Sequence, residues 1–95
     1  MAQLESIKKI IVPILKDNGA EFIGIFGSYA RGENKSESDL DVLVKFSKPK
    51  GLFDIIGLER ELSEKLERRV DLVTQGALSP YIKDNVFKDL KIIYQ

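Results

Sequence analysis

The chain predicts a small α/β protein of the α+β kind, a mixed sheet flanked by helices, in one domain over residues 1–95. Three observations carry that prediction. Apolar residues recur at helical spacing in two long stretches, first through Leu4, Ile7, Ile10, Ile11, Ile14 and Leu15, then through Leu52, Ile55, Ile56, Leu62 and Leu66. Between and after them stand short runs rich in Val, Ile, Leu and Phe, too short for helices and suited to buried strands. Gly, Pro, Asn and Ser cluster at the joints.

In order, residues 3–18 form the first amphipathic helix, with Pro13 placed to kink it or to start a second segment. Asp17-Asn18-Gly19 stops it. Residues 21–26 read as a buried strand in which Gly24 marks close packing by a helix. Residues 33–38 are polar and turn-forming, an exposed loop before a second strand at 39–44. After the break at Ser47-Lys48-Pro49-Lys50-Gly51, a helix spans 52–67, weakened slightly by Gly57. Residues 68–74 alternate as a third strand, with Val70 and Leu72 on one face and Asp71 and Val73 on the other. Ser79-Pro80 is an N-cap with a first-turn proline, opening a helix to Phe87 or Lys88. Residues 90–94 make a short strand or a tail, and Tyr81, Ile82, Val86 and Phe87 belong either to the core or to an interface, with the core the expected place.

The totals narrow the function. Ninety-five residues leave no chain for a second domain. Fifteen basic and fifteen acidic residues cancel, so no electrostatic excess draws the molecule to nucleic acid or anionic lipid. Without cysteine there is no disulfide framework or thiolate chemistry. No apolar run reaches membrane-spanning length and no signal-peptide pattern opens the chain, so a soluble, cytoplasmic protein is expected.

The chemistry gathers between residues 27 and 44, GSYARGENKSESDLDVLV. Gly27 and Ser28 follow an apolar strand directly, and glycine allows the sharp turn. If Tyr29, Ala30 and Arg31 begin a short helix, Ser28 lies where free N–H groups favour a phosphate, and Arg31 adds charge-assisted hydrogen bonds. Asp39 and Asp41 stand two apart in a strand, so both point to one face, with Leu40, Val42 and Val44 turned into the core. Asp71 lies in a strand able to pair beside them and project from that face. Carboxylate oxygens without His or Cys suit Mg²⁺ or Mn²⁺ rather than zinc. Three crowded acids repel, so at least one holds a proton more readily than a free carboxylate. Neither GxGxxG nor GxxxxGK[ST] is present.

Each residue also has a plainer reading. Asp39 caps a turn while Asp41 and Asp71 sit at solvated strand ends; Ser28 caps a helix; Arg31 pairs with Glu33 or Glu37. Tyr29 serves packing or base contact, and Lys35, Lys48 and Lys50 are solvated charges.

Gly27-Ser28, ten intervening residues and Asp39-x-Asp41 together resemble the signature of the DNA polymerase β-like nucleotidyltransferase superfamily. The longer form, GSYARGE followed by SDLDVLV, is similar to its minimal nucleotidyltransferase (MNT) branch, the antitoxin partners of HEPN toxins, and the resemblance runs to Tyr94. It implies the nucleotidyltransferase fold, with Asp39 and Asp41 ligating a pair of Mg²⁺ ions and Asp71 completing the catalytic one and activating the attacking hydroxyl. Gly27, Ser28 and Arg31 then bind the nucleotide. The implied reaction moves AMP from ATP to a hydroxyl, a tyrosine of a cognate HEPN ribonuclease toxin, in a hetero-oligomer with that toxin. The alternatives are a non-catalytic antitoxin that occludes its toxin, and a catalytic subunit of a two-chain transferase for another acceptor.

Overall fold

The computed structural model describes residues 2–35 and 38–95. Helix α1 (Ala2–Asp17) runs through Pro13 without a break, so the proline neither splits the helix nor starts another. Strand β1 (Ala20–Phe26) follows, then the single turn α2 (Ser28–Arg31), strand β2 (Leu40–Phe46), helix α3 (Leu52–Leu66) and strand β3 (Val70–Thr74). A 3₁₀ turn (Gln75–Ala77), helix α4 (Pro80–Asp89) and strand β4 (Lys91–Tyr94) complete the chain. The Ser79 hydroxyl accepts from the Tyr81 N–H, the N-cap that Ser79-Pro80 predicts. The final segment is a strand rather than a tail, and β2 and β3 open at Leu40 and Val70, slightly later than expected.

The four strands lie in the order β3-β2-β1-β4. β1 pairs antiparallel with both β2 and β4, while β2 and β3 run parallel. A parallel pair cannot be closed by a hairpin, and α3 supplies the crossover. Helices α1 and α3 cover one face of the sheet. Ile7, Ile11, Leu15, Leu58, Leu62 and Leu66 form one buried cluster with Ile23, Ile25, Leu40, Val42, Val44, Val70 and Leu72. Each such side chain withdrawn from water contributes about 2 kcal/mol before entropy is counted, so the alternation that buries Leu40 and Val42 also holds Asp41 on the other face.

On that other face burial is local. Leu43 and Val86 are the buried apolar residues outside the main cluster, among those described. Gly24 lies opposite Leu43, and a Cβ there would come within 2.5 Å of Leu90 Cδ1. The close packing expected at Gly24 therefore comes from the residue that ends α4 rather than from the body of a helix. The expectation of a core role for α4 needs correction: Val86 is buried, but Tyr81 is 93% exposed, Ile82 49% and Phe87 41%. A ten-residue helix at the β1 side of the sheet presents one face inward, and nothing described covers the other.

Candidate nucleotide site

The site begins at a backbone conformation that only glycine adopts freely. β1 ends at Phe26, and Gly27 turns the chain at φ 76°, ψ −153°. A Cβ at Gly27 would collide with Asp41 Oδ2. The turn is thus pressed directly against the second carboxylate of the Asp motif, a contact arranged by the pairing of Phe26 with Asp41 across β1 and β2.

The short α2 turn is anchored from beneath. Tyr29 is 2% exposed and Ala30 is buried with it. Arg68 Nη1 donates a 2.7 Å hydrogen bond to Tyr29 Oη, its guanidinium lies 5.4 Å from the ring centre, and its Nε donates to the Leu66 carbonyl. Of the two readings for Tyr29, packing is the one observed. Ser28, half-buried at the start of α2, stands beside the Gly27–Asp41 contact.

The acids come from two neighbouring strands. Asp41 lies in register with Asp71 across the parallel β2–β3 pair, and Leu40 N–H donates to the Arg69 carbonyl at 2.9 Å, which sets that register at its first rung. Asp39 immediately precedes β2. Arg69 Nε stands 3.9 Å from Asp39 Oδ2 and 3.8 Å from Asp71 Oδ1, a loose, exposed bridge between the outer two carboxylates. The third is less exposed to water: burial, then the charges of Asp71 and Asp39, push Asp41 up to about 6 against the opposing pull of Arg31. Asp41 thus holds its proton more readily than a free carboxylate, through burial first and the neighbouring acids second.

Among the described residues no three acids close into a ready-made cage for a cation. Arg69 Nε rests near two of the acids, Asp39 and Asp71. The donor set nevertheless fits a hard divalent ion: three carboxylates on one strand-end face, with a glycine turn that leaves Asp41 Oδ2 reachable where any larger residue would cover it.

Arg31 faces the same region. Its Nε donates to Glu33 Oε1 at 2.7 Å and its Nη1 to Asp89 Oδ2 at 2.9 Å, and these two bonds raise its already high pKa further. Glu33 is a partner that the sequence suggests; Glu37 lies outside the described residues. Asp89, 58 positions away, carries no signal in the local pattern and is brought in by α4. Arg31, Asp89, Gly27 and Asp41 share a cleft of about 260 Å³ with Phe26, Ile82, Asn85 and Val86. Lys48 and Lys50 instead line a depression of about 390 Å³ beside Phe46, Thr74 and Gln75, at the opposite ends of β2 and β3 from the acids.

The nucleotidyltransferase domain family matches residues 7–93. The protein adenylyltransferase MntA of Thermococcus cleftensis is 39% identical over 94 residues, 95% of each chain. Among solved structures, a toxin–antitoxin complex with AMP-PNP superposes with a TM-score of 0.84 at 27% identity, covering 92% of this chain and 72% of that one. A complex of a tri-AMPylated Shewanella oneidensis HEPN toxin with its MNT antitoxin gives 0.78 at 26% identity, covering 99% and 72%.

Proposed function

The chain belongs to the nucleotidyltransferase domain family, in its MNT antitoxin branch, and from that premise we propose that it transfers AMP from ATP to a tyrosine hydroxyl of a cognate HEPN ribonuclease toxin and so silences it. One observation carries the reading. The Gly27 backbone lies against Asp41, and Asp41 stands in register with Asp71, so the glycine turn adjoins acids from two strands.

There the residues divide the work. Gly27 admits the α-phosphate close to the backbone, and Ser28 offers its hydroxyl and N–H to phosphate oxygens. Arg31 holds the β- and γ-phosphates, exchanging one carboxylate partner for an anion of higher charge. Asp39, Asp41 and Asp71 would hold Mg²⁺, or Mn²⁺, which when bound neutralises phosphate charge and makes the acceptor hydroxyl more acidic. Asp71, on the edge strand β3, takes the proton as the acceptor oxygen bonds to the α-phosphorus; the bond to the β-phosphate bridge breaks and pyrophosphate leaves. Chemistry of this kind depends chiefly on position and charge, which is consistent with a site that contains no histidine.

Support for the acceptor comes from one similar solved complex, in which a tri-AMPylated HEPN toxin is bound to an MNT antitoxin. The test incubates the protein and its neighbouring HEPN partner with Mg²⁺ and α-labelled ATP, beside Asp39→Asn and Asp41→Asn forms. Label should appear on the toxin only with the acids intact. Equal neutralisation by all three proteins, with no label transferred, would instead identify an antitoxin that acts by occlusion.

A further inference from the structure

We propose that Asn85, with Ile82 and Val86 beside it on α4, forms the slot that takes the nucleotide's purine base and selects adenine; this rests on the nucleotide-transfer reading above. The cleft that contains Asp41 and the Gly27 turn continues onto α4, where its character changes. Ile82, Asn85, Val86 and Asp89 fall at i, i+3, i+4 and i+7, so one face of the helix forms the wall. At the Asp89 end it is charged, because Asp89 is tied to Arg31. Seven residues earlier, about 10 Å along the axis, it is apolar, with Ile82 on the rim, Val86 buried below, and Phe26 contributing from the end of β1.

A phosphate-binding end leading into an apolar slot matches the polarity of a nucleoside triphosphate laid with its tail at Gly27 and Arg31. The cleft, at about 260 Å³, is smaller than the roughly 300 Å³ and upward typical of pockets for whole drug-sized ligands. That volume includes the Gly27, Arg31 and Asp41 end, so the ring system lies at the apolar end and the phosphates run past Gly27 and Arg31 and out of the cleft towards Asp39 and Asp71.

Asn85 supplies the discrimination. It is exposed in the wall and is the carboxamide among the described lining residues. A carboxamide both donates and accepts, matching the 6-amino group and N7 of adenine as a pair. Hypoxanthine and guanine place an acceptor at position 6, so the same amide satisfies one edge atom and leaves its own oxygen unpaired. Tyr81 and Phe87 are exposed elsewhere on α4, outside the cleft lining, and are not needed for this role.

The experiment is equilibrium dialysis of the full chain with Mg²⁺ and labelled ATP or ITP, with inorganic tripolyphosphate as competitor, on the unaltered protein and on Asn85→Ala and Ile82→Ala. The unaltered chain should prefer ATP over ITP by about tenfold, and Asn85→Ala should bring the two to near parity. Ile82→Ala should weaken both nucleotides about threefold. Tripolyphosphate should compete equally in all three proteins, and circular dichroism should report an unchanged fold for these exposed positions. An ATP/ITP ratio that survives Asn85→Ala overturns the assignment while leaving nucleotide transfer intact. Intact affinities with slower transfer to the partner would make this wall a protein-docking face and overturn it equally. If the unaltered chain binds neither nucleotide, the transfer reading fails and the inference with it.

Discussion

At Gly27 a missing Cβ joins two motifs that are separate in the sequence. Gly27→Ala forces a side chain into a positive-φ, extended-ψ conformation that is essentially glycine's alone, at about 1–3 kcal/mol, and into the space of Asp41 Oδ2. A thermal melt should show Tm lowered by on the order of 10 °C, together with loss of ATP binding; a variant that melts and binds normally would show the close contact to be dispensable. Asp41 makes a second prediction with a definite sign. Its carboxyl titrates at about 6 in the folded chain against an ordinary 3.8, so between those values the folded state binds more protons than the unfolded one. Stability contributed by this proton is present at low pH and declines as pH rises from about 4 to 6. Because the carboxylate is half exposed, water screens the effect to about 1 kcal/mol. Asp41→Asn should remove that decline from a plot of Tm against pH. Residue type and spacing singled out Asp39, Asp41, Asp71, Gly27, Ser28 and Arg31 as the candidate site, and the structure sets Gly27 against Asp41 and Asp41 in register with Asp71. Their counter-charges were not legible in the sequence: Asp89 reaches Arg31 from 58 positions away, and Arg69 bridges Asp39 and Asp71 through a fold-dependent turn.

Among the elements, α2 is the least self-sufficient. Four residues cannot hold a helix in isolation, and its position depends on Tyr29 buried beneath it and on Arg68 at the approach to β3. Arg68→Ala should leave the buried phenol oxygen without its donor and lower stability by about 1–2 kcal/mol, read as a lower urea midpoint at constant slope. Tyr29→Phe added to that variant should cost little more, because the two act as one pair; full additivity in the double-mutant cycle would show the hydrogen bond to be inert. Element identity was readable wherever local chemistry is strong, as at Ser79-Pro80 or in the alternation from Val70 to Val73. The outer face of α4 was not. Tyr81, Ile82 and Phe87 have the hydrophobicity of core residues, and only the helix's place at one side of the sheet leaves them uncovered.

For the whole molecule, stability rests on one cluster shared by α1, α3 and three strands. A chain of 95 residues has a net stability of roughly 5–14 kcal/mol. Leu62, fully buried on α3, should therefore tolerate truncation poorly: Leu62→Ala is expected to cost about 2–5 kcal/mol, a large share of the total, measured by denaturant unfolding. A cost below 1 kcal/mol would mean that α3 is not the cover the sheet depends on. Placement of the acids follows from the same cluster, since burying Leu40, Val42, Val70 and Leu72 leaves Asp41 and Asp71 together on the opposite face.

The sequence by itself determined the order of helices and strands as far as α4 and the residue types of the candidate site, a glycine turn and three carboxylates, because periodicity, turn chemistry and strand alternation are local properties of the chain. Only the tertiary structure decided that Gly27 touches Asp41, that Asp41 is the carboxyl raised in pKa, that Arg68 supports Tyr29, and that α4 walls the cleft with Asn85 and Asp89. Each of these depends on the distance between residues far apart in the chain, which strand register and helix docking set and no local pattern encodes.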